Sequence, residues 1–344
     1  MRTRRGLYPY MLLQQNIHLK PFNTFGIDEV AEYFATISDL DDLQDVADLP
    51  YKLQVLGGGS NILLTAPVQG VVAHNALKGH SVLREDAHNV WLQVQAGEVW
   101  HDLVLYATGM GWGGIENLAL IPGTVGAAPI QNIGAYGAEV REVLEEVTFY
   151  HLQDKTFVTY GNADCRFGYR DSVFKHELRG RAFITSVVLR LSKQPVFNTS
   201  YGAIEQELAA MDVQTPTVQA IAQAVMNIRS SKLPDPRVTG NAGSFFKNPT
   251  VPRAQYEALL PAYPSMPHFV VSDSMVKIPA AWLIEQCGWK GHRRGDAGVH
   301  TRQALVLVNY GGAKGREVWE LSGEIVASVA GKFGIELERE VQVW

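Results

Sequence analysis

The chain has 344 residues, of which 46% are hydrophobic and 19% charged, a composition typical of a globular protein with two or three domains. The net charge of -5 argues against a broad basic surface for nucleic acid, so any anionic ligand must be met by a few local cations. Cys165 and Cys287 lie far apart and outside any CxxC pair, which argues against a disulfide framework or a cysteine-built zinc site.

The N-terminal segment MRTRRGLYPYMLLQQ begins basic and continues apolar, but Pro9 interrupts the apolar stretch before polar Gln14 and Gln15. We interpret it as an extension and not as a signal peptide. No apolar run in the sequence approaches the roughly 20 residues that a membrane helix needs. The sequence therefore predicts a protein of the reducing cytoplasm, without membrane insertion.

Strand-like runs rich in Val, Leu, Ile and aromatic residues fill the first two thirds of the chain: KLQVL, GVVAHNAL, VWLQVQAG, VTFYHL and FITSVVLRL. One helix is predicted among them, in WHDLVLYATGMG. Leu103 and Tyr106 share one of its faces, and Gly109 supplies an end. This part of the chain is predicted to be rich in β-structure.

Helical periodicity begins near Thr215, which can cap a helix whose first turn contains Pro216. That helix is predicted to end before the KLPDP turn at 232–236, the best candidate for a domain boundary. Two more helices are predicted, from Pro279 to Gly288 and before Gly334, with the strand ALVLVN between them. The last third therefore reads as a separate α+β domain.

The loop LGGGSN at Leu56–Asn61 follows a predicted strand. Its successive backbone N–H groups, with the Ser60 hydroxyl and the Asn61 amide, can cradle a phosphate. A nicotinamide-binding fingerprint is disfavoured because Ile62 occupies the place of its third glycine. Taken alone, three glycines after a strand also suit an ordinary tight turn.

A second glycine-rich segment, IPGTVGAAPIQNIGAYG, runs from Ile121 to Gly137 and is nearly uncharged. Small residues permit close backbone approach to a flat ring, and the amides of Gln131 and Asn132 can meet the polar edge of an isoalloxazine. The alternative is a buried loop. Neither glycine-rich segment contains His or Cys, which favours a flavin held without a covalent bond.

Several motifs occur together in a fixed order between about Asn16 and the C-terminus: NTFG (23–26), GGGSN, the 121–137 segment, CRFGYRDSVFK (165–175), KLPDP and NAGSFFKNP (241–249). In combination they resemble the UDP-N-acetylenolpyruvoylglucosamine reductase family. The TSYG stretch around Tyr201 and the terminal LEREV resemble the form of that family with an additional tyrosine-bearing loop.

The resemblance implies an α+β protein with a vanillyl-alcohol-oxidase-type (PCMH-type) FAD-binding fold and a C-terminal α+β substrate-binding domain. The boundaries it implies are 16–78 plus 335–344 for the first FAD-binding subdomain, 79–229 for the second and 230–334 for the substrate-binding domain. It also implies that NADPH reduces non-covalently bound FAD. Hydride then passes to the enolpyruvyl ether of UDP-N-acetylglucosamine, giving UDP-N-acetylmuramate for peptidoglycan, and hence a role in cell shape and division. We expect a monomer.

Three residues match the family's catalytic positions. Arg170 can meet the carboxylate of the enolate that forms on hydride addition, because a guanidinium is a permanently charged fork; outside the family, a surface pair with Asp171 would be expected. Ser244 matches the proton donor to the enolate carbon. Glu340 lies in 335–343, where alternating apolar and acidic residues predict a terminal strand. It matches the partner of the catalytic centre, although Arg339 stands where proline is expected, so Glu338 is the alternative.

The resemblance also implies two sets of binding residues. The cofactor set is Asn23, Thr24, Gly57, Gly58, Gly59, Ser60, Asn61, Ile121, Pro122, Gly123, Thr124, Gly126, Gln131, Asn132, Gly134, Ala135 and Tyr136. The substrate set is Tyr201, Lys232, Asn248, Lys277 and Gln303.

Two other functions remain open: an FAD-dependent sugar or alcohol oxidase on the same scaffold, and a non-catalytic protein that binds flavin or a nucleotide sugar. No metal site is predicted, because His292 and His300 form no compact ligand motif.

Overall fold

The computed structural model describes residues 13–199 and 202–344. Two predictions concern residues outside these ranges. The N-terminal extension falls almost wholly within residues 1–12, and the substrate-binding role of Tyr201 concerns a residue that is not described either.

Strands account for much of the described chain. In chain order they are β1 (Gln14–His18), β2 (Val30–Ile37), β3 (Leu53–Leu56), β4 (Ile62–Leu63), β5 (Val68–Asn75), β6 (His80–Glu85), β7 (Asn89–Gln95), β8 (Gly134–Ala135), β9 (Ala138–Glu139), β10 (Leu144–His151), β11 (Thr156–Gly161), β12 (Ala182–Ser192), β13 (Gly240–Ser244), β14 (Thr250–Pro252), β15 (Phe269–Val270), β16 (Met275–Lys277), β17 (Arg293–Arg294), β18 (Ala297–Val299), β19 (Val306–Asn309) and β20 (Gln342–Val343). The α-helices are α1 (Asp42–Ala47), α2 (Trp100–Gly109), α3 (Gly202–Ala210), α4 (Val218–Lys232), α5 (Arg253–Leu259), α6 (Ala280–Gln286) and α7 (Gly315–Phe333).

The chain divides into two units. Unit 1 contains the described residues as far as Ile17, Ala31–Gly59 and the described residues of Val68–Ser231. Unit 2 contains His18–Val30, Ser60–Pro67 and Lys232–Trp344, so one change of unit falls at the first residue of the KLPDP turn. The three-part division implied by the family resemblance stays a prediction.

Unit 1 contains two larger sheets and the two-stranded pair β8 and β9. A four-stranded sheet runs in the order β1, β2, β5, β3, in which both β2 and β3 pair with β5 in parallel. A five-stranded antiparallel sheet runs in the order β11, β10, β12, β7, β6. The helix predicted in WHDLVLYATGMG is confirmed as α2, whose buried Trp100, Leu103 and Val104 join the core of the second sheet.

Unit 2 is built on the antiparallel sheet β13, β19, β18, β17, in which the inner strand β19 is the predicted ALVLVN strand. The helices predicted before Gly288 and Gly334 are confirmed as α6 and α7. In α7, Val318, Leu321, Ile325 and Val329 are fully buried, and Gly334 ends the helix in the left-handed conformation.

Two boundaries differ from the sequence prediction. α4 begins at Val218, and its cap is Thr217 instead of Thr215, because the Thr217 hydroxyl accepts the Ala220 N–H at 3.1 Å. Of the strand predicted over 335–343, only β20 forms a ladder of more than one residue, in parallel with β4. Upstream of β20, Arg339 forms only an isolated antiparallel bridge with Phe246. The chain that follows Phe246 soon reaches Pro249, which has no N–H to donate to a ladder.

Candidate active site

The two glycine-rich segments meet inside unit 1. A Cβ atom built on Gly57 would lie 2.5 Å from Thr124 Oγ1, and one on Gly58 would lie 3.0 Å from Gly123 Cα. Side chains at these glycines would push the two segments apart, so the close approach requires glycine. The structure therefore brings together the predicted phosphate loop and the start of the predicted flavin segment.

The first turn of α2 holds the flavin segment in place. The Trp100 N–H donates to Gly123 O at 3.0 Å, and the Trp100 indole Nε1 donates to Leu118 O at 3.0 Å. Further along, Gly126 N–H donates to Ala96 O at 2.8 Å. These three hydrogen bonds fix the path of the chain from Leu118 to Gly126.

Four of the non-glycine residues with a left-handed backbone lie at predicted cofactor or catalytic positions or directly beside one: Leu120 (φ 57°), Asn132 (43°), Tyr136 (49°) and Arg170 (55°). Asparagine tolerates this conformation, but for leucine, tyrosine and arginine it costs on the order of 1–3 kcal/mol each. Such strain persists only where surrounding contacts enforce it, and it concentrates at functional sites. All four lie in or beside segments that the sequence assigned to cofactor or catalysis.

Arg170 lies against the flavin segment. Its Nη2 donates to Gly134 O at 2.6 Å, and its own carbonyl accepts from Lys175 Nζ at 2.8 Å. The neighbouring Asp171 carboxylate accepts from His176 Nε2 at 2.9 Å. The predicted catalytic arginine is thus brought to the predicted flavin-contacting residue Gly134.

The Asn132 side chain forms its hydrogen bonds with other residues of the protein. Its Nδ2 donates to Glu139 Oε2 at 3.0 Å and to Gly168 O at 2.9 Å, while its Oδ1 accepts the Arg141 N–H at 3.1 Å. Both amide hydrogens are used, so the side chain positions the turn that presents Arg170. A contact between the Asn132 backbone and FAD stays a prediction.

Asn117, which sequence reasoning missed, carries a buried acceptor that no donor meets. Its Nδ2 donates to Tyr136 O and to Asn198 O, each at 2.9 Å, which fixes the orientation of the amide. Oδ1 is buried and has no hydrogen-bond partner among the described residues. Burying an unmet acceptor costs about 1–3 kcal/mol, so the site suits a ligand with N–H or O–H groups.

Arg229, also missed, projects from α4 toward the same region. Its Nε donates to Leu120 O at 3.2 Å. Burial lowers the pKa of the Arg229 guanidinium, Tyr136 opposes this shift, and the like charge of Arg170 adds to it. An arginine near a helix end is ordinary in sequence, so no local signal distinguishes it.

In unit 2, a β-bulge presents Ser244 at the end of β13. Asn241 pairs with Val308 and Ser244 with Val306, so β13 has one residue more than its partner between these pairs. Gly243 lies within the bulge at φ 71°, a conformation that favours glycine. Bulges re-aim side chains next to active sites, and this one lies directly before Ser244.

Glu340 is brought beside the residue that follows Ser244. Its N–H donates to Phe245 O at 2.8 Å, and its carbonyl accepts from Asn61 Nδ2 at 3.3 Å. The side chain of the alternative, Glu338, is 69% exposed and forms an ion pair with Lys247, Oε1 to Nζ 2.5 Å. This geometry favours Glu340 over Glu338 as the partner of Ser244.

The NTFG loop supports β13. Asn23 Nδ2 donates to Leu19 O at 2.7 Å and to Ile27 O at 2.8 Å, so both of its amide hydrogens close the loop. Thr24 O accepts the Asn241 N–H at 3.0 Å, and Phe25 packs edge-on against Phe245 with ring centroids 6.3 Å apart. The Asn23 side chain therefore has a structural role, and its predicted contact with FAD stays a prediction.

Four predicted substrate residues also lie in unit 2. Lys277 pairs with Thr250, two residues after Asn248, whose Oδ1 accepts the Ala280 N–H at 2.9 Å. Gln303 shapes the turn before β19, since its Oε1 accepts the Leu305 N–H at 3.3 Å. Lys232 lies two residues before Pro234, whose carbonyl accepts from Asn241 Nδ2 at 3.2 Å.

The residues of unit 1 fit FAD. Glycine-rich backbone supplies N–H groups for phosphates, and Asn117 Oδ1 is a buried acceptor for one of the cofactor's N–H or O–H groups. Among the described residues no group of three or more His, Cys, Asp or Glu side chains could hold a metal ion. Within the same residues, no helix is both long and apolar enough to cross a membrane.

Two family models match the chain. The FAD binding domain model matches residues 31–159, and the model of the C-terminal domain of UDP-N-acetylenolpyruvoylglucosamine reductase matches residues 235–344. These matches confirm the predicted FAD-binding fold with a different C-terminal domain behind it.

Full-length relatives agree with the models. The chain is 51% identical to UDP-N-acetylenolpyruvoylglucosamine reductase of Chromobacterium violaceum over 94% of this chain and 97% of the relative. It is 46% identical to the Flavobacterium johnsoniae enzyme of the same name, over 97% and 100%. Among solved structures, UDP-N-acetylenolpyruvylglucosamine reductase from Thermus caldophilus is 27% identical and superimposes with a TM-score of 0.66, over 97% of this chain and 100% of that one. The chain belongs to the UDP-N-acetylenolpyruvoylglucosamine reductase family.

Proposed function

We propose that this protein reduces UDP-N-acetylglucosamine enolpyruvate to UDP-N-acetylmuramate with FAD and NADPH, for peptidoglycan synthesis. The observation that carries the proposal is the hydrogen bond from Glu340 N–H to Phe245 O. It places a carboxylate-bearing residue beside the Ser244 strand end, although the two are almost a hundred residues apart in the chain.

FAD, which the glycine-rich segments of unit 1 would hold, would supply the redox chemistry, namely hydride transfer from NADPH to the terminal carbon of the enolpyruvyl double bond. The protein must then stabilise negative charge that spreads into the adjacent carboxylate. We assign this role to Arg170, because a guanidinium matches carboxylate oxygens with two parallel N–H donors. Its contact with Gly134 holds it against the segment assigned to the flavin.

Ser244 is proposed to deliver a proton to the carbon next to the carboxylate, which completes the lactyl ether. A serine hydroxyl is too weakly acidic to do this unaided, so exclusion of water and nearby charge must assist it. Phe245 and Phe246 follow Ser244 in the chain and are each 1% exposed, so the apolar surroundings of this strand end fit the first requirement.

Glu340 is proposed to orient or polarise the intermediate beside Ser244. Its main chain is fixed on both sides, by Phe245 through the N–H and by Asn61 through the carbonyl. Fixing the main chain of a residue limits where its carboxylate can lie, which is how a positioned catalytic group is built.

Nucleotide binding is proposed for Lys232, Asn248, Lys277 and Gln303, with Tyr201 outside the described residues. Lysines suit the diphosphate, and amides suit uracil or phosphate oxygens. Of the Asn248 amide, Oδ1 is already engaged by Ala280, so its Nδ2 is the group proposed to meet the ligand. We further propose a cytoplasmic monomer that acts in cell shape and division.

The test is the purified protein with its visible spectrum. It should be yellow, and acid precipitation should leave the colour in the supernatant, since the flavin is not covalently bound. NADPH should be consumed rapidly only when the enolpyruvyl nucleotide sugar is added. Oxygen consumption on simple sugars or alcohols, without reduction of the nucleotide sugar, would instead establish the oxidase alternative.

A further inference from the structure

Leu120 has a strained backbone directly beside the predicted FAD segment. It has a left-handed backbone, φ 57°, although it is not glycine, and it lies directly before Ile121–Thr124 of the predicted FAD segment. A leucine is strained in this conformation, so other contacts must hold it there. Its two peptide groups show which contacts these are.

Two side chains from different helices hold Leu120 by its own N–H and C=O. The Leu120 N–H donates to His101 Nδ1 at 3.0 Å, from the first turn of α2. The Leu120 carbonyl accepts from Arg229 Nε at 3.2 Å, from the last turns of α4. Neither His101 nor Arg229 belongs to the residues assigned above to chemistry or to cofactor contact.

The N–H of Leu120 fixes the tautomer of the His101 imidazole. Because Leu120 offers an N–H, Nδ1 must be an unprotonated acceptor, and the imidazole carries its proton on Nε2. Burial lowers the pKa of His101; Asp102 raises it and Arg229 lowers it again. These are the charged groups that face the ring, and their combined effect keeps the imidazole neutral near pH 7.

We propose that His101 and Arg229 are positioning residues for the cofactor: by holding Leu120 from both sides, they keep Ile121–Thr124 in the conformation that binds FAD. The inference rests on the proposed function in one respect, namely that Ile121–Thr124 contacts FAD. It adds two residues that act through the backbone of a third.

The arrangement has a pH-dependent consequence. Protonation of Nδ1 would set two N–H groups against each other at Leu120 and place a second cation beside Arg229. FAD affinity should therefore be fully present above the pKa of His101 and should fall as pH drops through it. Since that pKa is lowered from 6.5, the loss should occur below pH 6.5.

The experiment uses stripped protein titrated with FAD, followed by quenching of flavin fluorescence at pH 7.5 and pH 5.5. His101→Ala leaves the Leu120 N–H without its acceptor and should raise the Kd for FAD about tenfold at pH 7.5. His101→Asn places Oδ1 where Nδ1 lies but cannot titrate. It should keep the wild-type Kd at pH 7.5 and lose the additional weakening at pH 5.5.

His88→Asn, at an exposed position of unit 1, is the matched control and should change neither the Kd nor its pH dependence. Arg229→Ala should also weaken FAD binding, and the effect of His101→Ala in that background should be smaller than in the wild type, because both act on one peptide.

Two results would overturn the inference: an unchanged Kd in His101→Ala, or His101→Asn as weak as His101→Ala with the pH dependence retained. Circular dichroism checks that each variant is folded. Failure of the wild-type protein to bind FAD at all would instead overturn the proposed function, so the two failures are distinguishable.

Discussion

In unit 1 the residues assigned to FAD lie on irregular backbone, whereas in unit 2 Ser244 lies on a strand of an antiparallel sheet. Unit 1 holds Leu120, Tyr136 and Arg170 in left-handed conformations, each stabilised by side chains from elsewhere in the unit. Unit 2 needs only a one-residue bulge with a glycine at φ 71°.

The difference follows from the two tasks. A flat ring and a diphosphate are met by many backbone N–H and C=O groups, which a regular sheet has already paired with each other. Delivery of one proton needs one hydroxyl in a fixed direction, and a bulged strand end supplies it. Substitutions in the glycine-rich segments of unit 1 should therefore change cofactor binding, and substitutions at Ser244 should change turnover alone.

The largest effect should come from Ser244→Ala. Loss of a positioned general acid should lower kcat by roughly 100-fold or more, while the protein stays yellow and substrate binding weakens little. Steady-state NADPH consumption measures kcat, and the FAD content of the purified variant measures whether the cofactor is retained. Ser81→Ala, on the exposed strand β6, is the control and should behave like the wild type. Near-normal kcat in Ser244→Ala would leave Ser244 as a turn residue.

Arg170→Lys should have the next largest effect. Lysine keeps the charge but loses the fork, so oxidation of the reduced flavin by substrate should slow about 10-fold to 100-fold. Flavin reduction by NADPH should slow less. Stopped-flow absorbance separates the two half-reactions, with Arg190→Lys on β12 as control. Equal loss in both half-reactions would remove Arg170 from enolate stabilisation and leave it as a support for Gly134.

Asn23→Ala should change stability and not chemistry. It removes the donors to Leu19 O and Ile27 O and the acceptor of the Ile27 N–H, at a cost of about 1–3 kcal/mol. Urea unfolding measures the loss, and FAD affinity should stay near that of the wild type. Unchanged stability together with loss of FAD would assign Asn23 to the cofactor, as the family resemblance implies.

The smallest effect concerns the cysteines. Burial raises the pKa of Cys165 to about 12, with a further contribution from Asp164, so its thiolate is absent at pH 8. Cys287 is only partly buried. A thiol reagent should therefore titrate one cysteine in the folded protein and two after unfolding. Rapid reaction of both thiols in the folded protein would show that the core of unit 1 opens readily.

Periodicity and turn residues predicted most of the regular structure. α2, α6, α7 and β19 lie where apolar spacing and flanking glycines indicate them. The start of α4 was wrong by two residues, because Thr215 and Thr217 are both acceptable caps and only the fold selects between them. The predicted terminal strand was too long, because an alternating pattern indicates which face is buried and not how many residues pair with a neighbouring strand.

In the candidate site, the sequence predicted only residues that belong to recognisable motifs. The meeting of Gly57 with Thr124 and of Glu340 with Phe245 depends on contacts distant in sequence, which no local pattern encodes. His101 and Arg229 were missed because a histidine in a first helical turn and an arginine near a helix end are ordinary in sequence. Their role lies in which backbone groups they contact.

The most direct test of the division between the two units is an anaerobic stopped-flow measurement on Ser244→Ala in deuterated solvent. Reduction of the bound flavin by NADPH should proceed at the wild-type rate. Oxidation of the reduced flavin by the enolpyruvyl nucleotide sugar, and the appearance of deuterium in the product, should slow by roughly 100-fold or more. Reoxidation at the wild-type rate, or equal slowing of both half-reactions, would contradict the assignment of proton delivery to Ser244.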